Sequence, residues 1–462
     1  MGYENKSREF REKLAGRVRG KVLLPGEPGY EDARALWNGA ITEKPAVIVL
    51  AEDVADVQAT VRTASLVGLQ FSVKGGGHDW AGRSLNQGGV VLSLQKLKKI
   101  VIDVTKKVAV VQGGITAGEL IAAAEPHGLV AVTGTVGAVG FAGLTLGGGY
   151  GPLGPSHGLA ADNLMSAEVV LASGEVVVAS NNENADLFWA IRGGGGNFGV
   201  VTTLHVRLHD AKPLLSGMIL FPWEVAESVF KGYSAIMDNA PDELAMFAGM
   251  LPADDGSPAL FLLPAWNGDI AEGQKHIDAI KKLGNPFFAD VKQIKYTEFL
   301  AIFDPHIGNG LHYAVQTRWL PQFDAHAITE VIKASDNRTS PLSFINIHHF
   351  HGAEARISLA NTAFGIRKPH FMMEFIAAWN PDDAAHSHAH QRWASKLSNN
   401  IADEAYPGGY ANLLGPDEHL QIGHAFGTNL PRLQALKNKY DKHNFFKGIA
   451  IPQKLTINSF IG

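Results

Sequence analysis

Apolar residues in this chain alternate between two periodicities. Positions 45–50 (PAVIVL) are apolar without a break, which predicts a buried strand. Val54, Val57, Val61 and Ala64 then recur at helical spacing, with Asp53 placed to cap the helix and Gly68 to close it. Residues 34–37 read as the end of a short helix before this unit. Positions 70–73 predict the next strand, ended by the glycines at 75–77. Further strands are predicted at 89–94, 107–111, 167–171, 176–179 and 200–208. A helix is predicted over Ala117–Ala124, closed at Gly128, and a helical turn at 186–191.

The texture changes after about Asp210. Glycine thins out, and prolines and aromatics increase. Strands at 259–265 and 371–379 alternate with amphipathic segments such as 271–283. This predicts an antiparallel sheet with helices on one face. The glycine-rich style returns near Gly408, and a basic helix spans Leu430–Tyr440. The expected fold class is α+β. A cofactor domain is built from 1–209 and 408–462, and a substrate domain is inserted at 210–407.

Composition narrows the partners. The formal net charge of −5 offers no basic field to nucleic acid or anionic lipid. The 462 residues contain no cysteine, which removes disulfides, thiolate metal sites and any cysteinyl link to a cofactor. The N-terminal residues are charged, and no apolar run has membrane-spanning length. The expectation is a cytoplasmic protein without a membrane partner, monomeric or a small homo-oligomer.

The 51 glycines cluster. A glycine run after a strand exposes backbone N–H groups that can cradle a pyrophosphate. Residues 73–79 (VKGGGHD) have that form. Residues 194–199 match G-x-G-x-x-G, but a strand follows them rather than a helix, so a dinucleotide-binding fold is not expected. No G-K-[ST] ending points to a nucleotide hydrolase.

Five ordered segments carry a resemblance. They are KGGGHDWAG (74–82), GTVGAVGFAGLTLGGGYG (134–151), HGLAADNL (157–164), DLFWAIRGGGGNFGVVT (186–202) and GGYANLL with RLQALKNKYDKHNFF (408–414, 432–446). Together they resemble the berberine bridge enzyme-like group of the vanillyl-alcohol-oxidase family, whose FAD-binding domain is of the PCMH type. In the inserted part the likeness is thinner, resting on NTAFGIR (361–367) and Trp379.

The resemblance implies a single covalent bond from His78 to the 8α-methyl of FAD. Relatives with a second, cysteinyl bond carry the cysteine at the position of Val136 here. It further implies a cofactor site built from Lys74, Gly75, Gly76, Gly77, Asp79, Gly82, Thr135, Ala138, Val139, Gly140, Gly143, Gly147, Gly149, Gly151, Asn163, Val200, Tyr410 and Asn412. Val139, a small residue, falls where the family gates oxygen, which implies an oxidase that passes electrons to O2.

Tyr410 and Tyr150 are the candidate catalytic residues. A phenol titrates near ~10, so it needs a cation beside it to act as a base at neutral pH. His349 and His351 are expected on one face of the strand Phe344–Phe350, lining the substrate cavity beside His348. No metal site is expected there, nor at His386, His388 and His390, which read as a solvated helix. Asp304 and Glu374 stand as possible substrate contacts.

The expected activity is oxidation of an alcohol or amine carbon of a small, secondary-metabolite-like molecule. A carbohydrate oxidase is the alternative, its platform being Trp223, Trp266, Trp319, Trp379 and Trp393. A non-catalytic flavin-binding protein is a second alternative, and a nicotinamide-dependent dehydrogenase a third.

Overall fold

In a computed structural model, which describes residues 3–253 and 255–452, three sheets organise the chain. The first has four strands in the order Lys21–Leu23, Val47–Leu50, Val90–Ser93, Phe71–Lys74. Its last two neighbour pairs are parallel. A parallel pair needs a crossover, and the helix Val54–Val67 provides it. The Asp53 side chain accepts from the Asp56 amide, and Gly68 ends the helix at φ 68°. Val57, Val61 and Ala64 are fully buried against the strands. The predicted α/β opening is therefore present inside an α+β molecule.

The second sheet has five antiparallel strands in the order Ile100–Asp103, Val108–Gln112, Val200–Arg207, Leu164–Val170, Val176–Ser180. Thr116 and Glu119 form a capping box that starts Ala117–Ala124. Ile100–Asp103, absent from the sequence expectation, is an edge strand with little burial to mark it.

The third sheet has nine strands, all antiparallel. Helices Ala226–Met237, Ile270–Lys281, Ala325–Asp336 and Ser387–Asn400 cover one face, sharing a core with Met246, Leu262, Ile347 and Met373. The opposite face, with Phe247, Phe261, Val315, Phe344 and Ile376, joins the core of the glycine-rich part. After the sheet the chain returns, and Leu430–Tyr440 buries Leu433 and Leu436 in that same core. No helix among the described residues is long and apolar enough to cross a membrane.

Candidate cofactor and active site

A cavity of about 400 Å³ lies between the glycine loops and the uncovered face of the nine-stranded sheet. Such a volume suits a small-molecule or cofactor site. One wall is loop backbone: Gly75 to Asp79, Thr135 to Gly143, and Gly195 to Val201. Two of these loops touch backbone to backbone. A Cβ on Gly76 would lie 2.5 Å from the Gly140 nitrogen, so no side chain fits there. Among the described residues, the amides of Gly75 to Asp79 donate to no backbone carbonyl outside the regular elements. Amides in a glycine loop that have no carbonyl partner are free to meet a ligand, so this partly buried loop can cradle an anionic group such as a pyrophosphate. The site thus fits a dinucleotide cofactor.

His78 closes the cradle. Burial lowers its imidazole to about 4, against the smaller opposing pull of Asp79. It is therefore neutral, and nucleophilic, near pH 7. Its ring stacks on Trp37 at 4.5 Å and 16°. Asp79 is taken by Arg83, 2.7 Å away, and Arg83 also donates to the carbonyls of Ala411 and Asn412. This pair ties the loop to the Tyr-Ala-Asn segment. Trp80 Nε1 adds a bond to the Leu413 carbonyl at 2.9 Å. Val136 and Val139 both line the cavity.

The far end is carbon-lined, by Phe261, Phe303, Ile307, Val315, Phe344 and Ile376. Two polar side chains of the sheet interrupt it, Glu374 and Asn346. The Tyr150 hydroxyl donates to Glu374 Oε1, and Asn346 Nδ2 donates to Oε2 at 3.2 Å. Burial raises Glu374 above its ordinary value, while these two bonds pull it back down. Tyr410 Oη accepts from the Gly149 amide at 3.0 Å and from Asn412 Nδ2 at 3.2 Å.

Among the described residues, no Lys or Arg acts on either phenol. Burial, followed by Glu374, drives Tyr150 well above its ordinary value, and burial raises Tyr410 to about 12. Both phenols stay protonated at neutral pH, and the carboxyl that Tyr150 meets is that of Glu374. The two rings sit 5.3 Å apart, edge to face.

Thirteen of the cofactor and catalytic positions expected from sequence line the cavity: Gly75, Gly76, Gly77, His78, Asp79, Thr135, Val139, Gly140, Gly143, Tyr150, Val200, Tyr410 and Asn412; so does Glu374, expected as a possible substrate contact. The others lie outside the lining. Lys74 is buried, donating to the carbonyls of Ala33 and Ala35. Gly82 turns at φ 76° against Ile41, and Gly147 leaves room for the Asn412 amide. Ala138 places its carbonyl near Gly76, while Gly149 donates to Tyr410 and Gly151 packs on the Thr133 carbonyl. Asn163 bonds the carbonyls of His157 and Leu159 and faces His209 Nε2.

His349 and His351 do not line the cavity, which corrects the expectation for them. Alternation does pair them, at 5.0 Å, but on the other face, where His349 meets Phe371. The strand ends at Phe350, and His351 caps Gly352–Arg356. The residues at the right parity are Phe344 and Asn346, with His348 behind the wall, 5.0 Å from the Tyr150 ring. His348 Nε2 lies 3.7 Å from Glu354 Oε1, both fully buried. His390, expected in solvent, is buried against Thr339 and Asp383. Asp304 is exposed and does not itself line the cavity, although its neighbour Phe303 does. No metal-binding cluster occurs among the described residues. Sequence reasoning missed Trp37, Arg83 and Asn346. Asn346 was within reach, since it shares the face of Phe344.

Comparison with known proteins places this geometry. Residues 45–180 match the family described as "FAD binding domain", and 409–448 the one described as "Berberine and berberine like". The FAD-linked oxidoreductase aurO of Gibberella zeae is 30% identical over 433 residues, covering 92% of this chain and 84% of that protein. The xylooligosaccharide oxidase of Thermothelomyces thermophilus is 36% identical over 219 residues, 46% of this chain and 44% of that protein. The crystal structure of 6-hydroxy-D-nicotine oxidase from Arthrobacter nicotinovorans superposes with a TM-score of 0.86 at 27% identity, covering 96% of this chain and 100% of that one. The protein is an FAD-dependent oxidoreductase. It belongs to the berberine bridge enzyme-like FAD-linked oxidoreductases.

Proposed function

We propose that the protein is an oxidase carrying FAD on a single bond to His78. It oxidises an alcohol or amine carbon of a small, largely apolar molecule and passes the electrons to O2. The flavin supplies a hydride acceptor at N5. The chain's own residues supply the rest. The orphaned amides of 75–79 hold the pyrophosphate, and the neutral His78 imidazole provides the bonding nitrogen. The carbon-lined end binds the substrate and excludes water. Glu374 takes the proton of the reacting O–H or N–H, with Tyr150 and Asn346 holding its carboxylate in place. Tyr410, fixed by Gly149 and Asn412, orients the ring system without moving a proton. The cavity supports the proposed division into 1–209 with 408–462 and 210–407: its cofactor-side lining comes from residues up to Val201 and from Tyr410 to Ile449, and its substrate-side lining from Phe261 to Ile376.

The observation that carries this reading is Glu374, a buried acid on a cavity wall that is otherwise carbon-lined except for its partner Asn346. Carbohydrate oxidation is the second reading, motivated by the xylooligosaccharide oxidase relative. It is less well supported here. Trp223, Trp266, Trp319, Trp379 and Trp393 all lie off the cavity wall, and few polar groups face the substrate end. Peroxide release should be measured on a panel of hydroxylated aromatics, cyclic amines and oligosaccharides. Turnover confined to the oligosaccharides would overturn the proposal in favour of the second reading.

A further inference from the structure

His78 emerges from three glycines, which have no side chains to wedge its ring. Its opposing effects are burial and the charge of Asp79 alone; no hydrogen bond holds either ring nitrogen among the described residues. The carboxylate next to it is committed to Arg83. What fixes the ring is a stack. Trp37 lies on His78 at 4.5 Å and 16°, and Tyr313 lies on Trp37 at 3.8 Å and 18°.

Trp37 is itself clamped between the two halves of the molecule. Its amide donates to the Gly77 carbonyl at 2.9 Å, and its indole Nε1 to the Ile307 carbonyl at 3.1 Å. Its carbonyl accepts from Gly310 at 3.0 Å. The buried Asn38 beside it bridges the Trp80 and Tyr313 carbonyls at 2.7 and 3.0 Å. Tyr313 is the second residue of the strand His312–Leu320 in the nine-stranded sheet and is anchored by its hydroxyl to the Gly308 carbonyl.

We propose that Trp37, backed by Tyr313, is the positioning residue for cofactor attachment, holding the His78 imidazole in the one orientation from which it bonds to FAD. This deepens the proposed function and rests on its reading of His78 as the tether. A corollary is that the inserted sheet controls attachment, because the plate behind His78 is held by residues 307–313. The step balances as follows. A His78 nitrogen gains a bond to the 8α carbon, and that carbon and the imidazole each release a proton. The electron pair left in the ring system passes to O2, giving peroxide.

The test compares wild type, Trp37→Ala, Trp37→Phe and Tyr313→Leu. Each is purified and incubated with excess FAD. Covalent flavin is followed by fluorescence of acid-precipitated protein, released flavin in the supernatant, and folding by the melting transition. An aromatic stack is worth enough to slow attachment by about three- to tenfold when Trp37 becomes Ala. Non-covalent FAD should still bind that variant, and Trp37→Phe, which keeps a ring, should restore the rate. Attachment by Trp37→Ala at the wild-type rate overturns the inference. Should that variant not melt cooperatively, Tyr313→Leu decides: slowed attachment supports the plate, and a wild-type rate overturns it. Wild-type protein with no covalent flavin refutes the tether reading itself, and is told apart from the other failures by that one sample.

Discussion

Glu374 is buried at the cavity wall, 7% exposed, and among the described residues two neutral donors, Tyr150 and Asn346, bond its carboxylate. A carboxylate so placed is a stronger base than one in water, because burial raises its affinity for a proton. Glu374→Gln keeps the shape and both neighbours and removes the basicity. Flavin reduction by substrate, followed by stopped-flow absorbance, should slow by about 10²–10⁴-fold with little change in bound FAD. Tyr150→Phe tests the sign of the environment. Its hydroxyl bond holds the Glu374 value down, so deleting it moves that value further up. The acidic limb of the kcat/KM profile should then shift to higher pH. A limb that stays where it was, or vanishes with the activity, would mean that Glu374 is not the titrating base. His78→Ala should leave flavin in the acid supernatant while the cradle still binds it.

The glycine loops and the strands facing them set what each residue can do. Gly76 and Gly75 are neighbours with opposite tolerance. A Cβ at Gly76 meets the Gly140 backbone at 2.5 Å, whereas the nearest atom to one at Gly75 is the Gly113 carbonyl oxygen at 3.6 Å. Gly76→Ala must part the two loops and should sharply reduce bound FAD, read from absorbance per protein. Gly75→Ala should retain it. These loops were legible in the sequence because they are local, with each strand, cap and glycine run lying within about twenty residues. Helix Val54–Val67 has the expected cap and closing glycine for the same reason. The substrate wall was not legible. Strand His370–Trp379 is buried on both faces, so no alternation marks Glu374 as inward. Its partner Tyr150 is 224 positions away. Parity along Phe344–Phe350 was correct, yet nothing local says which parity faces the cavity, and the histidines were assigned to the wrong one. Trp37 and Arg83 escaped because their roles are set by long-range backbone bonds.

Buried titratable groups make the stability of the whole molecule depend on pH from both sides. Burial lowers His348 and His370 each to about 3, and both are 1% exposed. An unfolded histidine titrates near ~6.5, so below that pH the unfolded chain takes up protons that the folded one refuses. Their contribution is complete above ~6.5 and is lost as pH falls toward 3. Glu354 acts in the opposite sense. Burial raises it to about 8, and its Oε2 has no hydrogen-bond partner. Its folded form therefore holds a proton that the unfolded chain releases near ~4.5. That contribution is complete below ~4.5 and fades as pH rises toward 8, by at most about 1.4 kcal/mol per pH unit. The two trends cross in the mildly acidic range, where the melting temperature should peak. Glu354→Gln mimics the protonated acid and cannot ionise. It should leave the melting temperature at pH 5 nearly unchanged and raise it at pH 8, flattening the alkaline limb while sparing the acidic one set by His348 and His370. Melting curves of wild type and variant across pH 4 to 9 decide it: an alkaline limb that survives the substitution would assign the loss to other groups and remove Glu354 from the account.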